Sequence, residues 1–457
     1  MKKIYFVGAG GIGMAALERY YLSQGYKVAG YDRTPSPLTD ALQHEGVAIS
    51  FEDSMDAVPG DFRDPATTEV VYTPAVPDDN IPLGFFRHNG FRLLKRAAVL
   101  GNITRSSLGL CFAGTHGKTT TSSMAAHILH CSSVGCNAFL GGILRNYGSN
   151  LLLASESPYA VIEADEYDRS FHQLSPYIAV ITATDPDHLD IYGTEEAYLE
   201  SFAHFTELIR PQGKLLVHTG LKLVPRPPEG VETFTYSRTS GDFHAENIRH
   251  GSGRIVFDFI YPGGSLNDIE LGVPVEINID NALAALAAVW LTGKFEPESA
   301  KKAMASFMGP ERRFEFHLKE DGDHGRAIID DYAHHPDELR QSIASVKALY
   351  PDRRLTVAFQ PHLYSRTRDF APEFAEALSA ADAVILIDIY PARELPIPGV
   401  TSKIIFDRIK CDDKVMISKE AFVNTVKNRN FEILLTAGAG DLNLYLPQLC
   451  RELRNKG

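Results

Sequence analysis

Cysteine is scarce and unpatterned: five thiols in 457 residues, odd in number and without a C-x-x-C pair. That excludes a disulfide-stapled scaffold and offers no zinc spacing, so the thiols read as core residues in a reducing compartment. Long apolar runs are also missing, with no stretch of about 18 residues able to span a bilayer. The N-terminal MKKIYFVGAGGIGMAAL is charged and then apolar, as a leader peptide is, but glycines interrupt it. A cytoplasmic protein with no membrane partner is expected. Lys and Arg form no run and the net charge is −13, which argues against nucleic acid as a partner. Any polyphosphate ligand must therefore be met by local groups. No internal repeat or low-complexity tract occurs, and 44% apolar with 23% charged residues excludes disordered and collagen-like chains.

At roughly 100–200 residues per domain, the length predicts three domains. Residues 2–7 (KKIYFV) and 25–32 (GYKVAGYD) frame a helix-length segment, a β-α-β opening, and residues 69–73 give a further strand running into a Pro/Asp-rich loop. LGLCFAG (108–114), YAVIEAD (159–165) and IAVITAT (178–184) are mostly apolar, as strands of a parallel sheet covered on both faces should be. Residues 213–271 alternate in short segments, which predicts antiparallel β added to the middle domain. After an Ala-rich helix over 281–291, β/α alternation returns: AIIDDY, a helix through 349, LTVAFQ, a helix through 380, AVILIDIY, EILLTAGAG and a terminal helix. The fold class is α/β in three domains, with boundaries near 105 and 308. Phe139 and Leu140 read as core.

Gly8-Ala-Gly10-Gly11-Ile12-Gly13 fits G-x-G-x-x-G between strand and helix, with Asp32 about 20 residues on. Glycine there lets a pyrophosphate approach helix N-terminal amides. A ligand-free tight turn, NAD or another nucleotide diphosphate would all satisfy it. Gly114-Thr115-His116-Gly117-Lys118-Thr119-Thr120 follows a strand and opens a helix, the setting of a phosphate loop, although Phe112 stands where the strict pattern has its first glycine. Its amides would cradle phosphates, Lys118 would meet the β/γ oxygens, and Thr119 would ligate Mg²⁺. Two phosphate loops in one chain exceed what a simple dehydrogenase or GTPase needs.

Glu163-Ala-Asp165-Glu166 ends one buried strand and Asp185-Pro-Asp187-His188-Leu-Asp190 the next, so these groups should lie off the sheet edge facing Lys118. Hard carboxylate oxygens there suit Mg²⁺; the plainer reading, helix capping, serves Asp185, Asp187 and Asp190 but accounts poorly for Glu163. Arg312-Arg313, Asp330-Asp331-Tyr332-Ala-His334-His335 and Gln360-Pro-His362-Leu-Tyr-Ser-Arg366 gather polar groups at the ends of apolar runs. His335 and Arg368 read as solvated.

Taken in order, GAGGIGM, AGTHGKTTT, EADEYDRSF, DHLD, Asn278 with Asn281, RRFEF, DDYAHHP, FQPHLYSRTRD and GAGD resemble the Mur ligases that build the peptidoglycan peptide stem, over essentially the whole chain. The resemblance, strongest to the alanine-adding branch, implies a Rossmann-like UDP-sugar domain (1–105), a central ATP-binding domain (106–307) and a Rossmann-like C-terminal domain closing with the amino acid (308–457). It implies that ATP phosphorylates the lactyl carboxylate of UDP-N-acetylmuramate and that the amine of L-alanine attacks the acyl phosphate. It also implies site residues. Gly8, Gly10, Gly11, Ile12, Gly13, Asp32 and Thr73 would hold the UDP-sugar. ATP would meet Gly114 to Thr120, Asn278, Asn281, Arg313 and Asp331, while Thr119, Glu163 and His188 would hold two Mg²⁺. Tyr332, His334, His362 and Arg366 would form the amino-acid pocket, so that Lys118, Glu163, His188, Arg313 and His334 make up the catalytic set.

Three departures mark the chain: Ile277 where the family has His, Arg96-Ala-Ala98-Val-Leu100 where it has an acid, and Phe202 at the ungapped place of the sister ligases' carbamylated lysine. A bridging carbamate is therefore not expected. Rival expectations are a recycling ligase that adds a preformed tripeptide, a nicotinamide oxidoreductase, which would leave Lys118 idle, and a non-catalytic nucleotide-binding regulator.

Overall fold

Apolar runs with little alternation become the inner strands of three sheets. The computed structural model describes residues 2–454 except Pro74, Asp187, His188, Ser252, 321–324 and Arg393, and omits the side chains of Leu189 and Asp190. The first sheet is parallel throughout: β1 (Lys3–Val7), β2 (Lys27–Tyr31), β3 (Ala48–Ser50), β4 (Thr68–Tyr72) and β5 (Arg92–Lys95), in the order β3-β2-β1-β4-β5. On β1, Ile4 and Phe6 cluster with Met14, Ala15 and Leu17 of the helix Ile12–Ser23. Tyr5 and Val7 face the other way, against Phe62, Leu83 and Phe86. Covering both faces is why the run is apolar at every position.

The second sheet contains β6 (Leu108–Ala113), β7 (Asn137–Leu144), β8 (Ser149–Leu152), β9 (Tyr159–Glu163), β10 (Ile178–Ile181), β11 (Lys214–His218) and β12 (Glu232–Tyr236), ordered β12-β11-β10-β6-β9-β7-β8. Only β8 runs antiparallel to its neighbour. β13 (His244–Gly251), β14 (Arg254–Tyr261) and β15 (Gly264–Glu270) form a separate three-stranded sheet. Their very short connections require antiparallel hairpins.

This corrects the expectation of antiparallel β throughout 213–271. β11 and β12 extend the parallel sheet, because the helix Glu195–Glu207 and the long connection 219–231 supply the crossovers that parallel pairing needs. The half-exposed edge strand ETFTY imitated a hairpin strand in its alternation.

The last sheet, β16 (Glu315–Lys319), β17 (Ala327–Asp331), β18 (Leu355–Phe359), β19 (Ala383–Ile387), β20 (Lys414–Ile417) and β21 (Ile433–Ala437), is ordered β16-β17-β21-β18-β19-β20 with only β16 antiparallel. The single helix expected through 380 is two, Tyr364–Asp369 and Ala371–Leu378, because Phe370 leaves helical geometry just before Pro372. Phe139 and Leu140 are buried as expected. Among the described residues no helix is long and apolar enough to cross a membrane.

Contacts divide the chain into two compact units: residues 1–247 with 257–269 and 279–307, and residues 248–256 with 270–278 and 308–457. Within the first unit, the first two sheets are joined by a buried polar link. Asn150 of β8 donates from Nδ2 to the Ile12 carbonyl (2.6 Å) and accepts from Arg19 Nη1 at Oδ1 (3.0 Å). Tyr20 packs edge-on against Phe139, ring centroids 5.4 Å apart. Asn150→Ala would remove both of these hydrogen bonds, a cost of about 1–3 kcal/mol. We expect the first urea-unfolding transition to fall accordingly; an unchanged midpoint would show the link to be energetically idle.

Candidate active site

The glycine loop after β1 is shaped by what each glycine must admit. Gly8 has φ +94°, and a Cβ there would come within 2.4 Å of Thr73 Cγ2. Asp32, at the end of β2, accepts the Gly10 N–H at Oδ2 (2.6 Å) and the Thr34 N–H at Oδ1 (3.1 Å), so its carboxylate fastens the loop. Gly11 caps the helix Ile12–Ser23 without a side-chain acceptor. The first-turn amides, including Ile12 and Gly13, thus remain without a capping side chain, at a position that favours anions. A Cβ on Gly13 would lie 2.8 Å from Arg96 Nη1, and Arg96 Nη2 donates to Asp165 Oδ2 at 3.3 Å. The third glycine therefore admits an arginine that reaches the central sheet.

The second loop leaves β6 at Ala113 and closes at Gly117, φ +81°, which starts the helix Lys118–Cys131, again without a side-chain cap. Gly114, φ +145°, runs so close to the next strand that a Cβ would meet Thr182 Oγ1 at 2.1 Å. Thr182 Oγ1 donates to the His116 carbonyl (2.5 Å), and Thr115 Oγ1 lies 2.7 Å from the Asp185 carbonyl and 2.9 Å from Tyr198 Oη. Asn281 backs the loop: its Oδ1 accepts from Thr121 Oγ1 (3.1 Å) and would stand 2.6 Å from a Cβ on Gly117. Thr119 and Thr120 are half-buried in the first turn. Lys118 Nζ folds back on the loop, donating to the carbonyls of Gly114 (2.6 Å) and Thr115 (3.4 Å) and to Glu166 Oε1 (2.8 Å).

Glu163 ends β9 in register with Phe112 of β6, and Gly141 is bare so that its carboxylate fits: a Cβ would be 2.3 Å from Oε2. Burial raises the Glu166 carboxyl, against the pull of Lys118. His188 and Asp187 lie outside the described residues. Asn278 shares the helix Ile277–Leu291 with Asn281 and donates from Nδ2 to the Val273 carbonyl (3.1 Å). Phe202, where sister ligases were expected to carry their lysine, is buried in an aromatic cluster with Phe171 and Tyr198.

In the second unit, polar groups again collect where strands end. Arg312, at φ +58°, donates from Nε to Asp330 Oδ2 (3.2 Å) and from Nη1 to the Gly440 carbonyl (2.9 Å). The guanidiniums of Arg312 and Arg313 lie 5.1 and 5.5 Å from the centre of the Tyr332 ring. Asp331 accepts from Ser342 Oγ, yet burial pushes its carboxyl up to about 6, with Arg313 pulling the other way. His334 Nδ1 faces the Tyr332 carbonyl (3.0 Å), and burial holds the imidazole below its ordinary pKa, against the pull of Glu338. The charges of Arg366 and Arg313 also bear on it. His362 stacks on Tyr390 and its ring stands 6.2 Å from that of His334. Leu363, at φ +69°, turns the chain into the short helix that carries Arg366. His335 caps the helix Pro336–Leu349, and Arg368 forms an exposed pair with Asp369.

Family models match three successive stretches: the Mur ligase family catalytic domain over residues 3–107, the Mur ligase middle domain over 112–289, and the Mur ligase glutamate ligase domain over 312–447. A UDP-N-acetylmuramate–L-alanine ligase from Phocaeicola vulgatus is 58% identical over 457 residues, covering 100% of this chain and 99% of that one. The chain is a Mur ligase. Among solved structures, this Mur ligase resembles UDP-N-acetylmuramate-alanine ligase of Thermotoga maritima, with 26% identity, a TM-score of 0.82 and full coverage of both chains. It shares its fold with a murein peptide ligase of Psychrobacter arcticus, at 21% identity, a TM-score of 0.64 and 99% coverage of each chain.

The structure brings Lys118, Thr119, Asn281 and Glu163 to one edge of the central sheet of this Mur ligase, and Tyr332, His334, His362 and Arg366 to one end of its last sheet. The motif reading set Glu166 among the acids facing Lys118 without pairing the two, and gave no role to Arg96 on Gly13 or to the Arg312–Asp330 pair beside Arg313 and Asp331. Each lay within or beside a motif already marked, but nothing in the spacing singled it out.

Asp331 yields a pH test. Its ordinary value is 3.8, so between about pH 4 and 6 the folded state retains a proton that the unfolded chain has lost. Its contribution to stability therefore falls as pH rises through that window. Asp331→Asn removes the titration, so its stability relative to the parent should climb from pH 4 to 6 and then level off. Denaturation curves whose separation is constant from pH 4 to 7 would contradict this.

Proposed function

We propose that the protein joins L-alanine to the lactyl carboxylate of UDP-N-acetylmuramate, converting ATP to ADP and phosphate. The observation that carries this reading is the 58% identity to a ligase of that name along the entire chain, supported by the Gly114 to Thr120 loop at the sheet edge. A carboxylate resists attack by an amine until one of its oxygens becomes a leaving group. Phosphoryl transfer from ATP provides that group, and amide formation then expels phosphate.

The assigned roles follow the geometry. The uncapped helix Ile12–Ser23 offers its first amides to the diphosphate of the sugar nucleotide, on a loop fastened by Asp32 and packed on Thr73. Gly114 to Thr120 would wrap the ATP phosphates, with Lys118 offsetting the repulsion between carboxylate and γ-phosphate. Asn278 and Asn281 are proposed for the adenine side, and Arg313 and Asp331 for the nucleotide. The donors proposed for Mg²⁺ are Thr119, Glu163 and His188. The hydroxyl and the glycine-cleared carboxylate are hard oxygens of the kind that ion prefers. When bound, Mg²⁺ would neutralise phosphate charge. Tyr332, His334, His362 and Arg366 would receive alanine, Arg366 by a bidentate grip on its carboxylate. Because Nδ1 of His334 faces a carbonyl it carries the hydrogen, which leaves the Nε2 lone pair of a neutral ring to take a proton from the amine. Consumption of ATP and a UDP-sugar by a chain with five unpaired thiols fits the cytoplasm.

ADP release should require UDP-N-acetylmuramate and a single amino acid together. Turnover with the preformed tripeptide but not with alanine would replace this reading with the recycling one, and nicotinamide oxidation would replace both. Arg366→Ala should raise KM for alanine at least tenfold more than KM for ATP, as a lost charge-assisted pair implies. Equal effects on the two constants would remove the carboxylate role.

A further inference from the structure

The Lys118 ammonium has three N–H donors, and all are engaged: by the Gly114 carbonyl at 2.6 Å, the Thr115 carbonyl at 3.4 Å and Glu166 Oε1 at 2.8 Å. A phosphate can be met only by exchanging some of these bonds. The three partners differ in what release would cost. The two carbonyls are neutral, and the bond to Thr115 is long. Glu166 is charged and 2% exposed, with no second partner for its Oε2 among the described residues. Stripping the cation from a buried carboxylate costs several times more than exchanging a neutral hydrogen bond.

Glu166 is also held from behind. Its carbonyl accepts from Tyr192 Oη (2.5 Å) and from the Arg169 N–H (2.9 Å), and the chain then passes through two residues of left-handed backbone, Asp168 at φ 54° and Arg169 at φ 53°. Non-glycine residues persist in that region only where the surroundings fix them. A lysine ammonium on its flexible four-carbon stem gains most from such an anchor.

We propose that Glu166 is a positioning residue for phosphoryl transfer. It keeps one N–H of Lys118 throughout, fixing the ammonium over the phosphate loop, while the N–H groups on the Gly114 and Thr115 carbonyls pass to phosphate oxygens. The inference rests on reading Gly114 to Thr120 as the ATP phosphate loop. In this role Glu166 touches none of the three substrates; it acts through Lys118.

The test uses the full-length protein as Glu166→Gln, Lys118→Ala and the double variant. Kd for ADP and for a non-hydrolysable ATP analogue is measured by calorimetry, together with kcat and KM for ATP. Glu166→Gln should lower kcat and weaken the analogue by about tenfold, one lost charge-assisted contact, while ADP stays within about threefold. In the double variant it should add less than about twofold to the loss caused by Lys118→Ala. Unchanged kcat with equal or tighter analogue binding would overturn the proposal, by making Glu166 a resting partner that ATP displaces. Equal weakening of ADP and analogue would also overturn it, reducing Glu166 to structural support. Near-normal kcat in Lys118→Ala would instead remove the phosphate-loop reading beneath it.

Discussion

Parallel strands all leave a sheet by the same edge, and the proposed chemistry of this molecule is organised by that constraint. β1 and β2 deliver the first glycine loop and Asp32 to one place; β6, β9 and β10 deliver the Gly114–Thr120 loop, Glu163 and Thr182 to another. In the second unit β17, β18 and β21 end side by side in Asp331, Gln360 and Gly438. Polar groups distant in sequence meet there without any long loop having to be ordered. Gly114 and Gly141 are bare for the same reason: at a crowded strand edge there is no room for a Cβ beside Thr182 or Glu163.

Charge is handled locally. The chain is acidic overall, with a net charge of −13, yet each of the two proposed phosphate sites opposes it with uncapped helix amides and a cation held by an acid, and the second unit pairs a cation in the same way. Arg96 rests on Asp165, Lys118 on Glu166 and Arg312 on Asp330. Pairing makes burial of these cations affordable and fixes them in space, a more useful property at a phosphate site than raw positive charge. In Asp331, a buried acid with modest compensation, the cost surfaces as a raised pKa.

Much of the fold was legible because strand runs covered on both faces admit few readings: KIYFV, LGLCFA, IAVI and LTVAF all became inner strands. The misread strand fell on an edge. β12 is half-exposed and alternates, a pattern shared by hairpins and by the rim of a parallel sheet. The proposed site was legible where glycine spacing or adjacent His, Asp and Arg concentrate chemistry. At Glu166 only the placement was legible, among the acids expected to face Lys118, and not the direct bond to its Nζ; Arg96 was not legible, since nothing in its spacing marks Gly13 as a neighbour.

The residues alone determined that the chain has two glycine-rich strand-to-helix loops, where its buried strands lie and which polar groups stand at their ends, because helix openings and apolar runs are set by neighbours a few positions apart. Tertiary structure alone decided the partners: that Asp32 fastens its own glycine loop, that Gly13 admits an arginine, and that Lys118 bonds directly to Glu166. Those outcomes depend on the distance and burial of groups up to 83 positions apart. Neither is encoded in local spacing.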